Sequence, residues 1–277
     1  MTVAKERLVY FPCGTLNLAG ILTLSGFPSA RTVLIPWGAG TSPSSGPNRI
    51  RARLARSLAN QGFHAFRFDY RGVGESDGEY RRPDMGNANT DDILSACAWL
   101  ESQGLSRIIV VANCFGGWSS LMAAPMISGL EGLAVINAPV RRDHIQVKAG
   151  RQSLGWWVAK LKQLRLNKLR NPERRALYRK LLIAKASAYG RPARDSRFRK
   201  AIESIRERQI PLLLLYGDDD FLADLEAELD RGLSAALEQA TWPTRVVKVA
   251  ERLEGYATLE AQRILEKEVG EWISDLS

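Results

Sequence analysis

The sequence predicts an α/β domain built on a mostly parallel sheet with helices on both faces. Three observations predict it. Short apolar runs rich in β-branched residues alternate with longer segments of helical period; two of those runs are apolar without alternation; and one strongly basic helical segment interrupts the rhythm late in the chain. Alternating strands and helices imply crossover connections, which make the strands parallel. The strand candidates are Arg7–Pro12, Leu16–Ser25, Thr32–Trp37, Phe63–Tyr70, Arg107–Asn113, Leu130–Ala138, Pro211–Tyr216 and Thr244–Ala250. A strand buried on both faces has no polar side, so Ile108-Ile-Val-Val and Leu212-Leu-Leu-Leu read as central strands. The first two runs, separated by Cys13-Gly-Thr, read as an antiparallel hairpin at one edge. Helical patterns fall at Asn48–Gln61, Asp91–Gln103, Gly117–Ser128 and Leu259–Asp275.

A chain of 277 residues suits one large domain with an insertion, or at most two domains, and 45% apolar content allows a sizeable core. No stretch approaches the ~20 apolar residues of a membrane span. The first residues, Met1-Thr-Val-Ala-Lys-Glu-Arg, lack the apolar run of a signal peptide. The three cysteines, Cys13, Cys97 and Cys114, lie at unrelated spacings with no CxxC or His/Cys cluster, so neither a disulfide framework nor a metal or other cofactor site is expected. A reducing cytoplasm is the expected location.

Charge is uneven. Residues 141–200 hold 19 Lys or Arg against Asp143, Glu173 and Asp195, a local +16 that leaves −7 for the remainder of a chain whose total is +9. This segment, 140–207, carries no strand candidate and is expected to be a helical cap inserted between core parts 1–139 and 208–277, over the carboxyl ends of the strands where α/β sheets bind ligands. Leu154, Trp157, Val158, Leu161 and Leu164 recur at helical period with a basic opposite face, and a second helical stretch opens at Asn171-Pro172.

The chemistry concentrates at Arg107-Ile-Ile-Val-Val-Ala-Asn-Cys-Phe-Gly-Gly-Trp, which reads as strand, tight turn, helix. Ala112 and Gly116 flank Cys114 at minus two and plus two, the small residues a nucleophile elbow requires to avoid collision. Cys114 then sits at a helix N-terminus, whose partial positive charge favours thiolate, and the Phe115 N–H points toward an oxyanion site. The competing reading is a buried structural cysteine at a strand end.

Asp69-Tyr-Arg-Gly-Val-Gly-Glu-Ser-Asp-Gly follows a strand and precedes a helix, and it resembles the DxRGxGxS loop of the α/β-hydrolase superfamily. Leu34-Ile-Pro-Trp-Gly-Ala-Gly is similar to the superfamily's first oxyanion loop, with Trp37-Gly-Ala in place of the commoner His-Gly. Ile136-Asn-Ala-Pro-Val-Arg and Leu215-Tyr-Gly-Asp-Asp-Asp match in order, so the resemblance covers the chain apart from the cap. Within the superfamily the motifs resemble the cysteine-bearing hydrolases associated with exosortase systems. The resemblance implies an α/β-hydrolase fold with an eight-stranded sheet. It also implies an oxyanion hole from the Phe115 and Gly38–Ala39 amides, and a triad in the order nucleophile, acid, base. Asp220 matches the acid's G-x-x-D spacing, with Asp219 as the alternative.

The base departs from the family. Counting back from Trp272 puts Glu254, in Arg252-Leu-Glu-Gly-Tyr, where the family has histidine. The chain holds only His64, inside a strand run and read as structural, and His144, at the cap entrance, which could approach the elbow from another side. A thiol tolerates the loss better than a hydroxyl, but deacylation by water still needs a base, and Glu254 serves if burial raises its pKa toward ~6 or 7.

Two functions fit. One is an acyl-processing enzyme (thioesterase, esterase or acyltransferase) working through an acyl-Cys114 intermediate with Glu254 or His144 as an atypical base. The other is a catalytically inactive binding or partner protein on the same scaffold. The basic segment suits an acidic partner: a carrier protein or CoA tail bearing the acyl group, or an anionic membrane surface touched peripherally. No recognised module favours nucleic acid.

Overall fold

The computed structural model describes residues 5–26, 31–38, 43–140, 196–218, 222, 225–226, 229, 233–237 and 241–276. Eight strands form one sheet: β1 (Lys5–Cys13), β2 (Leu16–Leu24), β3 (Arg31–Leu34), β4 (His64–Phe68), β5 (Arg107–Asn113), β6 (Leu130–Ile136), β7 (Leu212–Tyr216) and β8 (Thr244–Lys248). Their spatial order is β1-β2-β4-β3-β5-β6-β7-β8. β1 pairs antiparallel with β2 and β2 with β4, while every pairing from β4 across to β8 is parallel. All eight expected strands exist, with ends trimmed or extended by a few residues, as the hydrogen-bond ladder rather than hydrophobicity sets them.

The central strands are buried on both faces because two helical layers cover them. One face joins Val33, Ile109, Val111, Leu213 and Leu215 to α1 (Ile50–Asn60) and the C-terminal helix (Leu259–Asp275). In α1 the apolar stripe is Ile50, Leu54 and Leu58, at spacing four, so it presents one side to the sheet. The C-terminal helix begins at Thr258, whose hydroxyl accepts the Ala261 N–H at 3.0 Å, an N-cap that satisfies one orphan donor. On the other face lie α2 (Thr90–Ser102) and α3 (Phe115–Ala123). A fourth helix, α4 (Ser196–Glu207), buries Phe198, Ala201, Ile202 and Ile205 and packs on α3; the C-terminal helix is α5.

The chain divides into two compact units, 1–140 with 195–277, and 141–194. The expected cap boundary at 207 therefore moves. α4 belongs with the core because its apolar stripe faces α3, where Arg197 stands 5.5 Å over the Trp118 ring. Just beyond α4, Arg208 donates to the carbonyls of Ala124 (2.6 Å) and Ile127 (2.8 Å), satisfying acceptors left open where α3 runs out. The remainder of the expected cap, including its Leu154–Arg170 and Asn171–Leu182 helices, lies outside the described residues.

One buried cation organises the carboxyl ends of β3 and β4. Arg51 of α1 is 1% exposed and donates to Ile35 O (3.0 Å), Phe68 O (2.7 Å) and Pro43 O (3.3 Å). These carbonyls belong to chain leaving the sheet. Burial pulls the guanidinium down to about 10, opposed by the charge of nearby Asp69. Burial in turn pushes the Asp69 carboxyl up, opposed by Arg51 and by N–H donors from Glu75 and Ser44. Arg51→Met would leave those carbonyls without their donor and Asp69 without the opposing charge, so it is expected to lower the unfolding free energy by about 3–5 kcal/mol in urea titration. A loss within ~1 kcal/mol would mean that the clamp contributes little.

Candidate active site

Cys114 joins β5 to α3 with φ 53° and ψ −127°, a left-handed conformation that costs about 1–3 kcal/mol for a residue with a Cβ. The surrounding contacts hold it there. Cys114 N donates to Ile136 O at 2.8 Å, and Cys114 O accepts the Trp118 N–H at 3.2 Å. Ala112 is fully buried beneath the turn. Gly116 lets the helix start pass close to the loop after β3: a Cβ there would lie 2.8 Å from Trp37 N and 2.9 Å from Pro36 C and O.

The three cysteines differ in setting. Cys13 and Cys97 are buried, whereas Cys114 is half-buried. Burial pushes the Cys97 thiol up to about 12 and also raises that of Cys13, which sits against Asp92 and Arg71. Only Cys114 combines partial exposure with a helix N-terminus. The Phe115 N–H is the first of α3, one of the donors that a helix leaves without an intrahelical acceptor.

Gly38 departs from expectation. Its N–H donates to Asn113 O at 2.9 Å, which ties the β3 loop to the end of β5 alongside the Trp37–Asn113 bridge. A donor so engaged is not offered to a substrate oxygen, so Gly38 acts as a tether rather than an oxyanion donor in this conformation. Ala39, its expected partner in that role, lies outside the described residues.

The loops expected to carry acid and base meet at the carboxyl end of the sheet. Gly217, after β7, donates to Asn137 Oδ1 at 2.9 Å, and Asp218 N donates to Glu251 O at 3.2 Å. A Cβ on Gly217 would lie 2.5 Å from Glu251 O and 2.7 Å from Leu253 N, so glycine is what lets the two loops touch. Asp219, Asp220 and His144 lie outside the described residues, as does the Glu254 side chain; the Glu254 backbone opens the 3₁₀ turn Glu254–Tyr256. His64 begins β4 and its Nδ1 accepts the Ser25 N–H at 3.2 Å. It is level with Thr32, and Thr32 with Ile108, six residues before Cys114. At ~3.3 Å per residue the imidazole is about 20 Å from the elbow, at the wrong end of the sheet.

Two tyrosines complete the surroundings. Tyr256, 1% exposed, accepts a 2.7 Å hydrogen bond at its hydroxyl from Asn113 Nδ2, stacks at a tilt 5.4 Å from the Trp37 ring, and accepts Asn48 (3.0 Å) and Gln262 (2.9 Å) amides at its carbonyl. It pins the turn bearing Glu254 to the residue before Cys114. Tyr70, 3% exposed, sits just beyond β4, and Cys114 is among the charges acting on its hydroxyl. Neither carries a sequence signal beyond being an aromatic beside a motif. Among the described residues no group of three or more His, Cys, Asp or Glu gathers to hold a metal, and no helix is long and apolar enough to cross a membrane.

An eight-stranded, mostly parallel sheet with a strained strand-to-helix turn at the carboxyl end of β5 defines an α/β-hydrolase. The chain belongs to the family described as serine aminopeptidase, S33, whose model matches residues 48–252. It is similar in structure to an esterase from Pyrococcus furiosus (15% identity, TM-score 0.66, covering 98% of this chain and 91% of that one). It is also similar to a dienelactone hydrolase from Anabaena variabilis (16%, 0.61, 99% and 99%) and to the esterase domain of a Rhodothermus marinus protein (18%, 0.60, 97% and 97%). At these identities the likeness is one of fold. Among curated proteins it is similar to an Escherichia coli protein described as an uncharacterized 31.7 kDa protein in the traX-finO intergenic region, 35% identical over 118 residues. That match covers 41% of this chain and only about a third (35%) of the relative's length.

The contrast between the three thiols is directly measurable. Under brief treatment of the native protein with iodoacetamide, peptide mapping is expected to find Cys114 modified first, with Cys13 and Cys97 modified only after unfolding. Equal labelling of all three would contradict the burial pattern.

Proposed function

We propose that the protein is an acyl-processing hydrolase that acts on an ester or thioester through an acyl-Cys114 intermediate. The observation that carries this reading is the strained, half-buried Cys114 at the N-terminus of α3, in a chain whose family is described as serine aminopeptidase, S33. The sulfur adds to the substrate carbonyl carbon while the carbonyl π pair moves onto oxygen. Collapse restores the C=O bond and expels the alcohol or thiol, which leaves with the proton that the Cys114 thiol gave up. Water then adds to the acyl carbon as a base accepts its proton, the C–S bond breaks to release the carboxylic acid, and the base returns the proton to the sulfur.

Glu254 is our first assignment for that base, with His144 as the other candidate, and Asp220 is the supporting acid. Support for Glu254 comes from the tether through Tyr256 to Asn113, which holds the backbone of its turn beside the elbow. Cysteine in place of serine and a carboxylate in place of imidazole together favour acyl transfer or thioester cleavage over peptide hydrolysis, because a thioester leaving group demands less of the base. The same pairing of elbow and cysteine is what makes the chain resemble the exosortase-associated hydrolases. The +16 charge of residues 141–200 suits an acyl donor with an acidic handle, such as a carrier protein or CoA.

Incubation with a short acyl-CoA and with a neutral aryl ester, followed by intact mass and peptide mapping, is expected to show one acyl group on Cys114. Cys114→Ala should remove it. The acyl-CoA rate, and not that of the neutral ester, should fall as salt rises past physiological strength. No adduct and no turnover with several donors would sink the enzyme reading and leave a binding protein.

A further inference from the structure

Tyr70 carries an unexplained polar atom. Its side chain is 3% exposed, its ring meets Phe68 edge-on at 5.0 Å, and its hydroxyl is buried with no hydrogen-bond partner among the described residues. An unmatched buried hydroxyl costs about 1–3 kcal/mol, and replacing tyrosine by phenylalanine would remove that cost without altering the packing. A hydroxyl kept under those terms has another use.

Its position indicates which. Tyr70 leaves the sheet at the carboxyl end of β4, the end at which Cys114 leaves β5, with only β3 between those strands. The loop that follows Tyr70 is locked onto the elbow helix: Asn89 N donates to Ser119 Oγ at 3.1 Å, and Trp118 Nε1 donates to Met85 O at 3.3 Å. The next residue, Arg71, is anchored by its backbone N–H (3.0 Å) and its Nε (2.7 Å) to the buried carboxylate of Asp92. Upstream, Asp69 N donates to Ala19 O at 2.9 Å, so the backbone is fixed on both sides of Tyr70. Burial above all, with the charges of Asp92 and Cys114 adding and Arg51 opposing, keeps the phenol protonated well beyond its ordinary range. It is a permanent donor at the end of the sheet where Cys114 sits. Meanwhile the Gly38 N–H, one of the two expected oxyanion donors beside that of Phe115, the other being that of Ala39, is engaged by Asn113 O.

We propose that the Tyr70 hydroxyl donates a hydrogen bond to the acyl oxygen of a substrate held at Cys114, sharing with the Phe115 N–H the negative charge that develops there. This rests on the acyl-Cys114 reading above. A donor with no partner before the reaction and a charged one at its summit strengthens from ground state to transition state, which is the condition for lowering a barrier.

The test separates formation of an oxyanion from reactivity of the thiol. Tyr70→Phe is expected to slow acylation of Cys114 by an activated ester about 100-fold, as loss of one oxyanion donor does. Alkylation by iodoacetamide, which displaces halide and forms no oxyanion, should proceed at the wild-type rate, and the melting temperature should hold or rise. Ring-fluorinated tyrosine at position 70, a stronger donor of nearly the same shape, should acylate at least as fast as wild type. Equal acylation by Tyr70→Phe and wild type would overturn the proposal while leaving acyl-Cys114 chemistry intact, and an equal fall in alkylation and acylation would overturn it in favour of a role in placing the thiol. A wild-type protein that is never acylated would defeat the underlying reading instead.

Discussion

The candidate site depends on one close approach, that of the first turn of α3 to the loop leaving β3. Gly116 runs so near Pro36 and Trp37 that a single added carbon would fall within 2.9 Å of backbone atoms. That proximity allows β5 to reverse into a helix within one residue, forces Cys114 into positive φ, and leaves the thiol half-buried above a fully buried Ala112. The strain of the turn is offset by what holds it: the Cys114–Ile136 hydrogen bond to β6, the Gly38–Asn113 bond to the β3 loop, and the burial of Phe115 and Trp118 of α3.

A second layer of contacts transmits that geometry to the loops around the elbow. Asn113, immediately before Cys114, holds Tyr256, and Tyr256 in turn holds Asn48, Gln262 and the Trp37 ring. Gly217 and Asp218 lock the loop after β7 to Glu251. On the far side Arg51 gathers the ends of β3 and β4, and Arg71 fastens the turn after β4 to Asp92. These are hydrogen bonds in a low-dielectric interior, so each is costly to break and together they keep the carboxyl edge of the sheet in one arrangement.

The fold was legible because it rests on periodicity. Doubly buried strands such as β5 and β7 are written as unbroken apolar runs, and helices such as α5 show their stripe directly. The elbow was legible for a steric reason, since small residues two before and two after a strand-end cysteine mean a collision avoided. What escaped reading depends on through-space pairing. Engagement of the Gly38 N–H by Asn113 is a matter of backbone orientation, invisible in Trp37-Gly-Ala. Tyr70 lies 44 positions before Cys114, and Tyr256 is tied to Asn113 and Asn48 from 143 and 208 positions away, separations that no local pattern in the chain encodes. The boundary of the basic segment slipped because α4 has a basic outer face like the residues before it, and only its Phe198–Ile202–Ile205 stripe assigns it to the core.

The account stands or falls on the turn arming the thiol. The decisive measurement is the rate of Cys114 acylation by an activated ester in Gly116→Ala, compared with wild type in protein shown by near-ultraviolet circular dichroism to be folded. Pushing the helix start away from Pro36–Trp37 by the few tenths of an ångström that an extra methyl demands should slow acylation by at least ~10-fold, since misplacement of a reacting group by ~1 Å costs about 100-fold. An unchanged rate would contradict the claim that the cramped turn, rather than the mere presence of a cysteine, makes this site reactive.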